Sequence, residues 1–145
     1  MNATLIDTSF CVAAYVLSHP KNDVAIRWLE GAKNGDYQAY LCLHSIAEFY
    51  ATLTRMPVRP RISGKQAYHL IFDELLTYCS VVVLDEADYK TVLSLLSASE
   101  LVGGLIFDAL IAHAAVKVGA NRILTLNTKD FPRAYPGLQA EIVSV

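Results

Sequence analysis

Acidic and amide side chains occur at the points along this sequence where predicted strands end or helices begin. Asp7 ends an apolar, β-branched segment, Glu48 lies one turn into a predicted helix, and Asp108 stands at the start of another. Asn127 and Asp130 follow a further apolar segment. Carboxylates that come together repel each other and take up protons unless a cation compensates them. Their joint occurrence therefore indicates an acidic site that depends on a cation.

Asp108 interrupts a segment that is otherwise apolar on nearly all sides, from Ile106 to Val116. A helix that is apolar all round is expected to be buried. A buried carboxylate without a partner is energetically costly. A helix N-terminus, a basic side chain or a metal ion must therefore meet Asp108.

All of these candidate ligands are oxygen donors. No histidine or cysteine has a ligand-like spacing to them, since His113 follows Asp108 by five residues and lies on another helix face. Hard oxygen ligands with open positions favour Mg²⁺ or Mn²⁺ over zinc. Such an ion lowers the pKa of a water molecule, orients it for in-line attack and neutralises charge at phosphorus. The chemistry that suits this site is phosphodiester hydrolysis.

Each of these positions also has a structural explanation that the sequence leaves open. Asp7 and Asp108 could cap the helices that follow them, and Asp130 could cap a short turn before a proline. Ser45 and Glu48 have the spacing of a capping box. Independent capping does not require an acid at every strand end on one side of a sheet. The joint pattern therefore favours a functional site.

Strands alternate with helices along the whole chain, which predicts an α/β sandwich with a mostly parallel sheet. The predicted strands cover residues 4–6, 38–43, 81–84, 122–126 and 141–143. The run Val81–Leu84 is continuously apolar, as expected in the middle of a parallel sheet. In such sheets, sites lie at the carboxyl ends of strands near a reversal of strand order. The acidic residues are therefore expected to meet at that edge.

The helices are predicted from caps and hydrophobic spacing. One helix is expected to open at Ser45. Ser63 and Gln66 have capping-box spacing and begin a helix that runs to about Tyr78. Asp85 and Asp88 are expected to supply the cap and the first-turn charge of the helix that follows them.

Composition limits the protein class. The chain has 145 residues, 54% of them hydrophobic, which predicts a single domain covering residues 1–145. Its net charge of −2 argues against nucleic-acid binding through global charge. Cys11, Cys42 and Cys79 form no metal-type pair and are expected to be reduced core residues. No apolar run reaches the ~18 residues of a membrane span, and no basic leader opens the chain. We therefore expect a cytoplasmic protein with no membrane partner.

One basic stretch, RMPVRPRISGK at residues 55–65, carries Arg55, Arg59, Arg61 and Lys65 around two prolines. The sequence leaves two interpretations open. The stretch is either a solvated loop between helices or a strip that contacts phosphates beside an active site.

Four motifs together resemble the PIN-domain family and, within it, the VapC-type ribonuclease toxins of toxin–antitoxin pairs. The likeness covers nearly the whole chain, although residues 51–99 are only generically similar. Any one motif is weak, but four in the right order and at the right separations are specific. The motifs are LIDTSFCVAAY (5–15), HSIAEFY (44–50), IFDALIAHAAVKVGA (106–120) and ILTLNTKDF (123–131).

The resemblance implies a fold and a set of site residues. The fold is a three-layer α/β/α sandwich whose mostly parallel central sheet has about five strands. The metal-binding acids would be Asp7, Glu48 and Asp108. The fourth family position, often an aspartate, is Asn127 here, with Asp130 as a further candidate. Residues implied to contact the substrate phosphate or to support the acids are Thr8, Thr125, Lys129, Arg59 and Arg61.

The resemblance also implies an activity and partners. The activity is endonucleolytic hydrolysis of RNA with Mg²⁺ or Mn²⁺, in the toxin of a type II toxin–antitoxin system. The partners would be the RNA substrate, a cognate antitoxin protein and a second copy of the chain in a homodimer.

Two other functions remain open from the residues. A phospho-acceptor, receiver-like binding module would use Asp7 as acceptor and Lys129 as its lysine, but the acid pair that such modules need is missing. A catalytically silent interaction protein that kept the fold is the second alternative.

Overall fold

The computed structural model describes residues 2–145. Its centre is a five-stranded sheet in which every neighbouring pair is parallel, in the order β3-β2-β1-β4-β5. The strands are short and mostly buried, as expected for strands covered on both faces. They are β1 (Ala3–Ile6), β2 (Gln38–Cys42), β3 (Cys79–Val82), β4 (Arg122–Thr125) and β5 (Glu141–Ser144).

Helices cover both faces of the sheet. They are α1 (Thr8–Tyr15), α2 (Asn22–Lys33), α3 (Leu43–Arg55), α4 (Gly64–Tyr68), α5 (Glu86–Ala98), α6 (Leu105–Lys117) and α7 (Phe131–Ala134). On β1, Ile6 packs into the core cluster that contains residues of α1, α2 and α3, whereas Leu5 packs into the cluster that contains residues of α6. Because neighbouring side chains on a strand point to opposite faces, β1 alone supplies both cores. The predicted three-layer α/β/α architecture is confirmed.

The helix signals in the sequence are largely confirmed, with two corrections. The capping boxes of Ser63 with Gln66 and of Asp85 with Asp88 both form. The predicted helix ending near Tyr78 is not one regular helix, because α4 continues into a π-type segment and a 3-10 turn before it ends. Helix α3 begins at Leu43, and not at the predicted Ser45.

The prediction that the third strand lies in the middle of the sheet is wrong. Strand β3 covers Cys79–Val82 and pairs only with β2, so it forms an edge of the sheet. Val81 is 36% exposed and Val83, beyond the strand, is 55% exposed. A continuous apolar run therefore marks a strand here without fixing its place in the sheet.

The expectation that the Asp108 helix is buried on all sides is also wrong. Helix α6 buries Ala109, Leu110 and Ile111 against the sheet and α5, but Phe107 is 55% exposed and Val116 is 51% exposed. The helix is apolar on its solvent side as well as on its core side. The burial of α6 was therefore overestimated from its apolar composition.

The strand order reverses between β1 and β4. The chain builds the sheet outward from β1 through β2 to β3, then crosses to the other side of β1 to add β4 and β5. Ligand sites of open α/β sheets lie in the crevice that such a reversal creates at the carboxyl ends of the strands. Within residues 2–145, no helix combines the length and apolar character needed to cross a bilayer.

Candidate active site

Asp7 lies directly after β1, at the point where the strand order reverses, and its carboxylate is surrounded by donors. Oδ1 accepts the Thr8 backbone N–H at 2.7 Å. Oδ2 accepts the hydroxyls of Thr125 at 2.8 Å and Ser9 at 3.1 Å. Burial raises the pKa of Asp7, and the hydrogen bonds from Thr125, Thr8 and Ser9 oppose that increase. Asp7 does occupy the N-cap position of α1, so its cap role and a role in a site coexist.

Two hydroxyls fasten the end of β4 to the start of α1. Thr125, which is fully buried, and Ser9 lie 3.1 Å apart between their hydroxyl oxygens. The Leu126 N–H donates to Ser9 Oγ at 3.0 Å, and the Asn127 N–H donates to Thr125 Oγ1 at 3.0 Å. The Asp7 carboxylate is therefore held by groups from both sides of the crevice.

Glu48 is held by two groups on the opposite side of the cavity. The Thr8 hydroxyl donates to Oε2 at 3.3 Å, and His44 Nε2 lies 3.2 Å from Oε1. The neighbouring His44 lowers the pKa of Glu48 despite the effect of burial. The alternative that Glu48 forms a capping box with Ser45 is wrong, because α3 begins two residues earlier and the Ser45 hydroxyl is buried without a partner within residues 2–145.

Asp108 has no such support. It lies in the first turn of α6, whose N-cap is Gly104, so the alternative that Asp108 is an N-cap is wrong. Within residues 2–145 it forms no salt bridge. Burial, followed by repulsion from Asp7, Asp130 and Glu48, raises the pKa of Asp108 to about 6. Of the compensating groups expected for this carboxylate, the structure shows the first turn of α6 and no basic side chain within residues 2–145, and a metal ion stays a prediction.

One cavity of about 450 Å³ contains all three acids in its lining, together with Thr8 and Asn127. No lysine or arginine lines this cavity in the described chain. No three Asp, Glu, His or Cys side chains of residues 2–145 form a ready-made ligand set. Mg²⁺ commonly keeps several waters and takes only one or two carboxylates, so it does not need such a set. Mutually repelling carboxylates, of which only Glu48 contacts a basic side chain within residues 2–145, are chemically suited to a divalent cation.

The remaining predicted residues lie at the rim of the cavity or away from it. Asn127 is an exposed rim residue, and Lys129 is exposed and absent from the lining. Asp130 occupies the N-cap position of α7 without a side-chain cap bond and lies 3.5 Å from an Arg133 nitrogen. Arg59 is exposed, and Arg61 lines a separate cavity of about 770 Å³.

Four residues near the acids were missed at the level of sequence. Ser9 supports Asp7, and its place two residues later in the chain was the available signal. His44 contacts Glu48, so the statement that no histidine has a relevant spacing was wrong; the i, i+4 spacing within α3 could have revealed it. His19 and Phe107 line the cavity, and no spacing rule indicated either.

Residues 4–135 match the family described as PIN domain. The chain belongs to the PIN domain family. All four positions that carry the resemblance, from Asp7 to Asn127, lie within the matched range.

Relatives and solved structures agree with the PIN fold. The chain is 28% identical over 136 residues to Ribonuclease VapC40 of Mycobacterium tuberculosis, covering 94% of each chain. It superposes on the crystal structure of VapBC2 from Rickettsia felis bound to a promoter DNA fragment with a TM-score of 0.69 and 24% identity, covering 97% of this chain and 98% of that one. A toxin–antitoxin complex from Klebsiella pneumoniae gives a TM-score of 0.65 at 18% identity, covering 97% and 96%.

The cavity does not have the residues that the receiver-like alternative requires. That module would need Lys129 beside Asp7, but Lys129 does not line the cavity that contains Asp7. The structure places a second and a third acid there instead.

Proposed function

We propose that this PIN domain is an endoribonuclease that depends on Mg²⁺ or Mn²⁺. The observation that carries the proposal is the convergence of Asp7, Glu48 and Asp108 on one cavity at the reversal of strand order, with no lysine or arginine of residues 2–145 in its lining. The 28% identical relative named Ribonuclease VapC40 supports RNA as the substrate.

Three acids and one amide of the cavity would hold the metal. Asp7, Glu48 and Asp108 would supply anionic oxygens, and Asn127 would supply a neutral carbonyl oxygen. Asp130, which does not line the cavity, is a further candidate. When bound, the metal activates water and neutralises charge developing at the phosphate.

The other polar residues of the site have supporting roles. Thr125 and Ser9 orient the Asp7 carboxylate, while Thr8 and His44 orient that of Glu48. Preorganised acids of this kind lose little freedom when they bind a cation.

Basic residues outside the cavity would guide the RNA. Arg61 and Lys65 line the second cavity, next to the exposed Arg59. Lys129 is exposed and follows Asn127 by two residues in the chain. Exposed positive charge outside the acidic cavity would attract the phosphate backbone without occupying the metal site.

We further infer that the enzyme is the toxin of a toxin–antitoxin pair in the cytoplasm, that it binds a cognate antitoxin and that it forms a homodimer. The solved Klebsiella complex supports the first part. Exposed apolar side chains on α3, on α4 and in the π-type segment after α4 offer a surface for either protein partner, namely Leu43, Tyr50, Tyr68 and Phe72. All three cysteines are free and buried, as suits a reducing compartment.

Cleavage of a mixed RNA pool by the purified protein tests the activity. The reactions would contain Mg²⁺, Mn²⁺ or a chelator, beside the variants D108N and D73N. Asp73 is an exposed acid outside the cavity, so D73N controls for the loss of one charge. We expect cleavage with either metal by the wild type and D73N, and none with chelator or with D108N. Cleavage that survives chelation or D108N contradicts the proposal, and absence of both cleavage and metal-induced stabilisation favours the silent interaction protein.

A further inference from the structure

Phe107 presents an aromatic ring in the wall of the acidic cavity, next to Asp108. Its side chain is 55% exposed, while Ala109 and Leu110, which follow it on α6, are buried. The ring of His44 packs against Phe107 at 6.4 Å between centroids with a tilt of 40°, and more than half of the Phe107 side chain still remains exposed. The position of this ring in the cavity wall leaves it available to a ligand.

His19 lines the same cavity from the turn between α1 and α2. The Lys21 backbone N–H donates to His19 Nδ1 at 3.0 Å. A ring nitrogen that accepts a hydrogen bond carries no proton, so Nε2 of the neutral ring carries the N–H. Within residues 2–145, no hydrogen bond uses this N–H. His19 therefore offers an Nε2–H donor without a partner in the described chain.

The turn that carries His19 is anchored to the fold. Asn22 is 6% exposed, and its side-chain amide donates to the carbonyl oxygens of Ala13 at 2.9 Å and Ala14 at 3.2 Å. The Asn22 N–H also donates to the His19 carbonyl oxygen at 3.0 Å. The turn is therefore anchored by Asn22, and the bond from the Lys21 N–H holds the imidazole against it.

The cavity has the size and the chemistry for one nucleotide. Its volume of about 450 Å³ lies in the range of small-ligand sites. Since no lysine or arginine lines it, a phosphate that enters must be met by neutral donors or by a bound cation. A base that enters requires a flat apolar surface, which only Phe107 and the imidazole of His19 supply among the lining residues.

We propose that Phe107 and His19 form a nucleotide-binding subsite in which a base beside the scissile phosphate stacks on Phe107 while His19 Nε2–H donates to an oxygen of the same nucleotide. This inference rests on the proposed ribonuclease function and specifies its substrate. A base can reach Phe107 only when it is unpaired and unstacked from its neighbours. The preferred substrate is therefore RNA with an unpaired nucleotide at the cut.

The test uses one short RNA whose cut site has been mapped with the wild-type protein. Steady-state KM and kcat would be measured for the intact RNA and for versions with an abasic nucleotide on either side of the cut. The protein variants are F107L, which keeps apolar volume but loses the flat ring, and F107W, which keeps the ring. V116A is the control, because Val116 is an exposed apolar residue of the same helix outside the cavity.

We expect F107L to raise KM about tenfold with little change in kcat, since loss of aromatic stacking weakens nucleotide binding by roughly this factor or more. F107W and V116A should keep the wild-type KM. An abasic nucleotide at the stacked position should raise the KM of the wild type by a similar factor and add nothing to that of F107L. H19A should raise KM about two- to tenfold, the usual range for one neutral hydrogen bond, and H19Q should recover part of that loss because it keeps a donor.

Three results would overturn the subsite. The first is an unchanged KM in F107L. The second is a KM for F107L with the abasic RNA that equals the product of the two separate increases, since the ring and the base would then act independently. The third is equal cleavage of the RNA when it is annealed to its complement. Each of these leaves the ribonuclease activity itself in place. Absence of metal-dependent cleavage by the wild-type protein instead contradicts the proposed function, and the subsite with it.

Discussion

Asp7 and Asp108 lie in the same cavity but differ in the groups around them. The Asp7 carboxylate accepts three hydrogen bonds, whereas burial and the surrounding acids raise the pKa of Asp108 to about 6. Burial raises the pKa of Asp7 as well, but its hydrogen bonds offset part of that increase. The cost of an ionised carboxylate is therefore compensated by the fold at Asp7 and not at Asp108.

Thr125→Val removes the hydroxyl that donates to Asp7 from a fully buried position. We expect the free energy of unfolding to fall by about 1–3 kcal/mol, because a hydrogen bond to a charged group is lost and a buried acceptor is left with one partner fewer. Urea unfolding at neutral pH measures this loss. Thr125→Ser keeps the hydroxyl and should lose less than half as much; equal losses in both variants would mean that methyl packing, and not the hydrogen bond, is responsible.

Asp108→Asn should stabilise the metal-free protein while abolishing cleavage. The folded-state pKa of about 6 lies above the usual 3.8, so ionised Asp108 destabilises the fold above about pH 6, and this effect disappears as the pH falls below about 4. Allowing for solvent screening, we expect a gain on the order of 1 kcal/mol at pH 7. Thermal unfolding of both proteins from pH 4 to pH 8 without divalent ions measures it. A variant that is less stable than wild type at pH 7, or a gain that persists at pH 4, would contradict this account.

Of these residue-scale features, the local sequence pattern indicates the acids, whereas Thr8 and Thr125 were expected as their partners only through the family resemblance. Asp7 and Asp108 were identifiable because each stands at the end of a strand or the start of a helix. The bond from Thr125 to Asp7 joins residues from β4 and the end of β1, so it depends on those strands being neighbours. No local pattern contains that information.

At the scale of the elements, Glu48 is positioned by the first two turns of α3, which also carry its partner His44. His44 and Glu48 are one turn apart, and the His44 ring also lies 3.1 Å from the sulfur of Cys42 between Nδ1 and Sγ. Burial alone would lower the pKa of His44, but its contacts with Cys42 and Glu48 raise that pKa to about 9. The imidazolium is therefore retained at neutral pH beside the carboxylate.

His44→Ala should destabilise the protein by an amount that depends on pH. Since the folded-state pKa of about 9 exceeds the usual 6.5, protonated His44 contributes its full stability below about pH 6.5, and that contribution is lost as the pH rises through about 9. The difference in urea midpoint between wild type and variant should therefore shrink between pH 6.5 and pH 9.5. His69→Ala, at an exposed histidine paired with Asp73, is the control. A difference that stays constant over this range would show that the contact carries no charge.

Two elements show where periodicity fails. The apolar run at Val81–Leu84 predicted a central strand, but the strand covers Cys79–Val82, two residues earlier, and lies at the edge of the sheet. An edge strand can be as apolar as a central one, so the run alone does not give its position. Helix α6 was predicted to be buried all round, yet its Phe107 side faces the cavity mouth. An apolar side chain can face the core or the mouth of a cavity, and its hydrophobicity alone does not distinguish the two positions.

At the scale of the whole molecule, the fold gathers three acids at one crevice. The strand order brings Asp7 and the end of β4 together at the crevice, and α3 and α6 add Glu48 and Asp108 from either side. The arginine of the second cavity, Arg61, lies apart from them. The alternation of strands and helices was sufficient to predict this architecture and the edge of the sheet at which the acids meet. It was not sufficient to predict the strand order, which decides which loops meet.

The central claim is that three acids from three parts of the chain act as one divalent-metal centre for RNA cleavage. The most direct measurement is the initial rate of cleavage of one mapped RNA against Mg²⁺ concentration, for the wild type, D7N, E48Q, D108N and the control D73N. We predict that D73N follows the wild-type curve, and that each of the other three shows no metal-stimulated cleavage at the concentrations that saturate the wild type. A wild-type metal response in D7N, E48Q or D108N would remove that residue from the centre, and a wild-type response in all three would contradict the account.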